Sequence, residues 1–208
     1  MADWVAISSL ATAGGTLALA GTTYASVRSA NRAARAAEVS MLAALRPLLL
    51  PSGPDDPAQR IGFADGVGVT APGGGAGVEV VDGRIYLGLS LRNVGTGIAV
   101  LHGARLYPQR MPGSEPAPLE EFRLLTRDLY IAPGKLGFWQ GAYRDESDPE
   151  REVALGAIGR GEFGLDLLYG DYEGGQRVVT RFGCRRNEGG TWDVAAGRHW
   201  QIDRQNPR

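Results

Sequence analysis

Apolar and charged positions divide the chain into a long uncharged segment and a region of short alternating segments. No residue from Trp4 to Val27 carries a charge, and arginines follow at Arg28, Arg32 and Arg35. The uncharged run is longer than the roughly 20 residues that a helix needs to cross the hydrocarbon core of a bilayer. The pattern therefore predicts a helix over residues 1–27, with a membrane span as its first interpretation.

Three interpretations of this segment compete: a membrane span, a cleaved export signal, and a soluble or interfacial helix. Serine, threonine and glycine dilute its apolar content, but Trp4 and Tyr24 lie near its ends, where amphipathic rings settle at the headgroups. An export signal needs a positively charged start, yet Asp3 is the only charged side chain there. A soluble amphipathic helix needs a charged face, and none precedes Arg28. The comparison favours an uncleaved, single-pass anchor that uses Trp4, Tyr24, Arg28, Arg32 and Arg35.

The charges beside this segment predict its orientation. Arginine is in excess after it, so the positive-inside rule places the C-terminal domain in the cytoplasm and the anchor in the inner (plasma) membrane. Residues 28–50 are predicted to continue as a juxtamembrane helix, because Pro47 and Pro51 end the helix-forming run. The segment is a stalk or a helix that packs on the following domain, and its arginines can at the same time contact anionic headgroups, at about 1 kcal/mol each.

Small residues recur along the same segment at a spacing of three or four. They are Gly14, Ala18, Gly21 and Ala25, a pattern typical of closely paired membrane helices. A homodimer through the helix is therefore one hypothesis. The alternative is that an alanine-rich composition produces this spacing by chance.

The rest of the chain has the two-residue period of β-strands. Ile85, Leu87, Leu89 and Leu91 alternate with more polar residues, which predicts a strand with one buried and one wet face. Similar segments recur about every ten residues between glycine- and proline-containing turns, and no βαβ spacing is visible. After a linker at 51–60, these patterns predict a mainly β fold over 61–208, an immunoglobulin-like antiparallel β-sandwich.

Composition and charge narrow the function. The net charge of −1 over 208 residues gives no field that would recruit nucleic acid, so no nucleic-acid partner is expected. Cys184 is the only cysteine, which excludes an intramolecular disulfide and is mildly against an oxidising compartment. We predict that Cys184 is a buried small hydrophobe.

Candidate catalytic and binding motifs are weak. The sequence GRGEFG at 159–164 has the spacing of a dinucleotide fingerprint, but the residues after it predict a strand where that motif requires a helix. His102 and His199 have no cluster of metal ligands beside them in sequence. The acidic run at 145–152 is predicted to be a solvated loop, with weak calcium binding as the alternative, and Asp171 a turn former. We therefore expect no enzyme, cofactor or metal site.

Three stretches together resemble a known group of proteins. They are LSLRNVGTGIAVLHGARL at 89–106, IAPGKLGF at 131–138, and LDLLYGDYEGGQRVVTRF at 165–182. They resemble a broad group of uncharacterised bacterial proteins with one N-terminal membrane helix, an Arg/Ala-rich juxtamembrane helix and an immunoglobulin-like β-domain. The resemblance implies fold and membrane attachment, and it implies no activity.

The leading functional hypothesis is a membrane-anchored interaction or scaffold module that holds an unknown protein partner at the cytoplasmic face through sheet edges or loops. The alternative is an extracytoplasmic ligand-binding domain, which would require the opposite orientation. Aromatic residues cluster late in the domain and are expected to fill the core, although an exposed subset would form a binding face.

Overall fold

The computed structural model describes residues 3–203 and divides the chain into a helical unit that ends at Ala43 and a β domain that starts at Ala44. Helix α1 spans Asp3–Ala44 and confirms that the N-terminal segment is helical. Thr16 Oγ1 donates to the carbonyl of Thr12 at 2.8 Å, so hydroxyl groups are satisfied within the helix. Residues 1, 2 and 204–208, which belong to the predicted segments 1–27 and 61–208, lie outside the described residues.

None of the helices within residues 3–203 combines the length and the apolar composition that a membrane span requires. The span over residues 1–27 stays a prediction.

Helix α1 ends earlier than the residue 50 that the sequence predicts, so the juxtamembrane helix over 28–50 is corrected at its C-terminal end. Leu48 N donates to Asn93 Oδ1 at 3.2 Å, and Val94 N donates to Leu48 O at 2.8 Å. Pro47 has no N–H to donate to a helix. Bonding to a distant strand therefore replaces helical bonding after Ala44.

The β domain consists of short strands with one helix and a short 3₁₀ turn at Leu119–Glu121. The strands are β1 Leu49–Pro51, β2 Gln59–Gly62, β3 Gly68–Ala71, β4 Gly75–Val81, β5 Arg84–Asn93, β6 Ala99–Tyr107, β7 Arg123–Ile131, β8 Leu136–Tyr143, β9 Glu162–Gly170, β10 Val178–Arg186 and β11 Trp192–Gln201, and helix α2 is Pro149–Arg160 between β8 and β9.

Nine strands form one curled antiparallel sheet, and eight of them follow the order β1-β5-β4-β11-β10-β9-β6-β7. Strand β8 pairs with the opposite edge of β5, and β2 and β3 form a separate hairpin. The mainly β prediction is confirmed, whereas the immunoglobulin-like sandwich is not, because the pairing is continuous in one sheet. Strands β7 and β8 are consecutive in sequence, yet they lie at the two ends of this sheet.

Strand β5 shows where the alternation pattern was correct and where it was wrong. Ile85, Leu87, Leu89 and Leu91 all lie in the main core inside the curled sheet, as predicted. The opposite face, which includes Tyr86, was predicted to be wet but is buried beneath the β2–β3 hairpin. A second layer of only two strands therefore covers positions that a period-two pattern assigns to solvent.

Residues 51–60, predicted to be a linker, are packed against the same part of the sheet. Ser52 Oγ donates to Ser90 Oγ at 2.7 Å, and Arg92 forms an ion pair with Asp56 at 2.5 Å. These bonds make the segment an ordered part of the β domain, which starts at Ala44.

Helix α2 corrects the C-terminal half of the prediction that residues 145–152 form a solvated loop, because it begins at Pro149. Asp148 caps the helix by accepting from Glu150 N at 2.9 Å, and Pro149 occupies the first turn, where its missing N–H costs nothing. Ala154 and Ala157 are buried in the main core, so the helix packs against the sheet. Asp145 and Glu146 lie in an exposed turn, as predicted, whereas Asp148, Glu150 and Glu152 belong to the start of the helix.

The glycines of GRGEFG now have a structural explanation. Gly161 ends α2 in a left-handed conformation with φ of 76°, and β9 begins at Glu162. The chain runs from helix to strand here, the reverse of a dinucleotide fingerprint. The predicted strand after the motif is confirmed.

Candidate functional site

The main opening in the sheet lies between β7 and β8, and we call this gap the seam. A tight turn joins the two strands, in which Lys135 N donates to Ala132 O at 3.1 Å and Gly134 has a positive φ of 69°. In the described part of the chain β7 pairs only with β6, and β8 pairs only with β5. The facing edges of the seam therefore carry backbone N–H and C=O groups without a strand partner.

A bulge in β7 lies beside the cavity of the seam. Leu101 of β6 is paired with Leu129, but Gly103 is paired with Leu124. Residues 125–128 of β7 thus lie opposite His102 alone, and such excess residues interrupt the pairing and bend the strand locally. The bulge separates the middle of β7 from β6 and shapes one wall of a cavity.

The cavity in the seam has a volume of about 210 Å³. This exceeds the about 150 Å³ of an engineered apolar cavity that holds benzene. Leu125 and Leu129 of β7, Ala104 of β6, and Trp139 and Tyr143 of β8 contribute to its wall. The cavity therefore has room for one large apolar side chain or a small ring.

Trp139 is the largest of these side chains, and its position depends on a glycine. A Cβ at Gly141 would lie 2.6 Å from Cη2 of the indole, so only glycine leaves room for the ring along β8. Trp139 is 2% exposed, and its indole N–H makes no hydrogen bond within residues 3–203. A buried donor without an acceptor is costly, because the hydrogen bond that it made to water in the unfolded chain is not replaced.

The rim of the cavity is cationic. Arg123, Arg127 and Arg144 line it, and no aspartate or glutamate does. The cavity lining therefore contains cationic side chains and no carboxylate.

Two of these arginines are already paired with carboxylates. Arg144 Nε donates to Asp65 Oδ2 at 2.7 Å, and Tyr86 donates to the same oxygen at 2.6 Å. The hydrogen bond from Arg144, followed by that from Tyr86, lowers the pKa of Asp65 to about 2. Arg123 forms an ion pair with Asp148 and lies 5.1 Å above the ring of Tyr143.

Arg127 differs from both, because its hydrogen-bond partner is neutral. Its Nη2 donates to Gln140 Oε1 at 2.9 Å, across the seam from β7 to β8. Within residues 3–203 it forms no ion pair. We call this pair the Arg127–Gln140 latch.

The predicted anchoring residues all lie on α1 and are exposed. Trp4 is 79% exposed and Tyr24 is 69% exposed. Tyr24, Arg28, Arg32 and Arg35 line one shallow surface of the helix, while Trp4 lies near its N-terminal end. The structure thus brings four of the five predicted residues together, and their contact with lipid stays a prediction.

The other sequence candidates have structural roles. Cys184 is buried in the main core, as predicted, and burial raises its pKa. Asp171 accepts hydrogen bonds from Gly175 N at 2.8 Å and from Gln176 at 3.1 Å, which confirms it as a turn former. No group of three or more metal-ligating side chains occurs in the part of the chain that is described.

Sequence reasoning missed the seam and its polar residues. Pro133-Gly134 correctly indicated a turn between strands, but a local pattern cannot show that the strands it joins remain unpaired. The only available signal was the uncharged composition of β8 beside the arginines of β7.

No protein-family model, curated protein or solved structure matches this chain. The resemblance to bacterial proteins with a membrane helix and an immunoglobulin-like domain accordingly stays a prediction.

Proposed function

We propose that the chain is a protein-interaction module whose β domain binds an extended segment of a partner protein along the seam. The observation that carries the proposal is that β7 and β8 leave facing edges unpaired on either side of a cavity of about 210 Å³. An added strand would bond to the free backbone groups, and its alternate side chains would reach the cavity.

Strand β8 is the edge to which the segment would be added. Natural sheet edges are usually protected by charged side chains. Strand β7 has Arg123, Arg127 and Asp128, whereas β8 has no charged residue from Leu136 to Tyr143. The edge of β8 is thus open to pairing, and its neighbours supply charge for specificity.

The test is selection of displayed random linear peptides on the full chain, followed by anisotropy measurements on labelled binders. Thr126 is exposed on the rim, so Thr126→Trp should block the seam without disturbing the core. Tyr130→Trp is the matched control, because it places the same side chain on β7 outside the cavity. We expect binding to be lost in the first variant and retained in the second.

Backbone methylation of a selected peptide tests the strand geometry. Only alternate N–H groups of an added strand face the sheet, so methylation should abolish binding at every second position. Methylation that is tolerated everywhere, or the absence of any peptide sensitive to Thr126→Trp, would overturn the proposal. A small molecule that stabilises the chain when no peptide binds would favour the ligand-binding alternative.

We also propose that α1 holds this module at an anionic membrane surface on the cytoplasmic side. The observation behind it is that Tyr24, Arg28, Arg32 and Arg35 share one exposed surface. No ion pair within residues 3–203 involves these arginines. Basic side chains near an anionic leaflet contribute about 1 kcal/mol each.

Co-sedimentation of the full chain with vesicles tests this attachment. We expect binding to phosphatidylglycerol vesicles and weaker binding after Arg28, Arg32 and Arg35 are all changed to glutamine. Arginine-to-glutamine changes at Arg84, Arg185 and Arg186, which are exposed in the β domain, provide the charge-matched control. Equal loss in both triple variants would contradict a specific role for α1.

A further inference from the structure

We propose that the seam recognises an acidic segment, in which a carboxylate binds Arg127 and an apolar side chain two residues away enters the cavity. This inference rests on the proposed function, because it names the chemistry of the segment that would pair with β8. It follows from the arginines of the cavity rim, from the neutral partner of Arg127 in the latch, and from the two-residue repeat of side chains along an extended strand.

The charge of the cavity rim indicates whether the partner segment is acidic or basic. Arg123, Arg127 and Arg144 line the cavity together with apolar and neutral residues. The carboxylates that neutralise the first and third, Asp148 and Asp65, are not part of that lining. Arg127, which pairs with no carboxylate within residues 3–203, would repel a basic segment and attract an acidic one.

The latch identifies which arginine is available. Arg127 donates to a neutral amide oxygen of Gln140 at 2.9 Å, while its two neighbours are committed to carboxylates. A carboxylate accepts a charge-assisted, bidentate bond from a guanidinium, which is stronger than a bond to an amide. The partner's carboxylate would therefore replace Gln140 at Arg127 and release the latch across the seam.

The lining of the cavity indicates which second side chain the partner segment carries beside its carboxylate. Leu125, Leu129 and Trp139 form an apolar wall, which favours an aliphatic or aromatic side chain. In an extended segment, residues two apart project to the same side. The recognised pattern is therefore an aspartate or glutamate, any residue, and a large apolar residue, in either direction along the segment.

Peptides selected on the full chain test the pattern directly. We expect acid and apolar residues two positions apart to be enriched among binders that Thr126→Trp blocks. Arg127→Gln should weaken a fluorescein-labelled acidic binder by at least about tenfold, and replacing its acid by the matching amide should weaken it equally on the unmodified chain. Arg185→Gln, the same charge change at an exposed position near the end of β10, should have no effect.

A second variant tests the latch itself. Gln140→Glu keeps the side-chain shape but supplies an internal carboxylate to Arg127, so it should weaken acidic peptides. Gln140→Ala should leave their affinity unchanged or higher, because it removes the competing acceptor. Indole emission during titration would follow entry beside Trp139, with Trp139→Phe removing the change.

The two proposals can fail separately. Seam-dependent peptides without acidic enrichment, or binding unaffected by Arg127→Gln, would overturn the acidic pattern and leave strand addition standing. The absence of seam-dependent peptides would overturn both. Dimers that Thr126→Trp disrupts, in a chain that binds no peptide, would show that a second copy occupies the seam.

Discussion

At the scale of single residues, Arg181 and Asp166 form a buried ion pair on the outer face of the sheet. Arg181 Nε and Nη2 both donate to the carboxylate of Asp166 at 2.6 Å, and these residues are 2% and 0% exposed. Arg181 lies between the rings of Tyr107 and Trp200, at 5.2 Å and 4.9 Å. It also donates to Glu115 O at 2.8 Å, which fastens the loop between β6 and β7 to the sheet.

Removing one member of this pair should destabilise the domain strongly. Asp166→Ala leaves a buried guanidinium without its counter-charge, which costs about 3–5 kcal/mol in comparable sites. The double variant Arg181→Met with Asp166→Leu should recover much of that loss, since no charge is then buried. Urea unfolding curves measure both, and a double variant as unstable as the single one would contradict this explanation.

Asp65 should make stability depend on pH in a defined window. Its pKa is lowered from an ordinary value of 3.8 to about 2 by hydrogen bonds from Arg144 and Tyr86. A lowered carboxyl pKa contributes stability above the unfolded value and loses it as pH falls through the folded value. The unmodified chain should therefore be more stable than Asp65→Asn at pH 6, and this difference in the free energy of unfolding should disappear as the pH falls to about 2.

Thermal unfolding midpoints across this range would check the Asp65 prediction. Asp55→Asn, the same change at an exposed position in the same domain, serves as the control. A difference between unmodified chain and Asp65→Asn that stayed constant down to the acid limit would contradict the assigned cause.

At the scale of elements, the β2–β3 hairpin packs closely against one face of the sheet, and the residues of that face are therefore buried. Gly77 lies against Val69 and the backbone of Thr70, and Gly88 lies against Ile61. Any side chain at these glycines would occupy space that the hairpin fills. The hairpin is therefore held by the absence of Cβ atoms on β4 and β5 as well as by its apolar residues.

The two glycines should respond differently to alanine. At Gly77 a Cβ would lie 2.5 Å from Thr70 O, a backbone atom that would have to move. We therefore expect Gly77→Ala to lower the free energy of unfolding by about 1–3 kcal/mol. At Gly88 the first atom met is the end of the Ile61 side chain, which can rotate, so the loss should be smaller. Gly62→Ala has open space and is the control in chemical unfolding experiments. Equal losses at all three positions would contradict this packing argument.

At the scale of the whole molecule, the hydrophobic clusters of the β domain consist of residues from Leu49 onward. The two compact units divide after Ala43. Stability of the domain should thus be independent of most of α1.

Deletion of residues 1–43 should shift the unfolding midpoint of the β domain by less than about 3 °C, because about 1 kcal/mol corresponds to 2–4 °C at this size. Circular dichroism and calorimetry measure the shift. A cooperative loss of the β signal on deletion would show that the domain needs α1, and a retained transition would confirm two independent units.

Local patterns were sufficient for several features of this protein. The helical start of the chain, the inward face of β5, the burial of Cys184 and the turn at Asp171 each depend on residues close together in sequence. Backbone hydrogen bonding within a helix and alternation along a strand have fixed periods, so the sequence alone determines them.

Other features required the tertiary structure. Three features depend on partners far away in sequence. They are the open edges of β7 and β8, the hairpin that covers Tyr86, and the hydrogen bond from Arg127 to a neutral amide. The end of α1 at Ala44 also depends on Asn93 of a distant strand. Strand pairing is chosen by long-range contacts that no local period encodes, so the candidate site, unlike the strands that build it, was decided only by the fold.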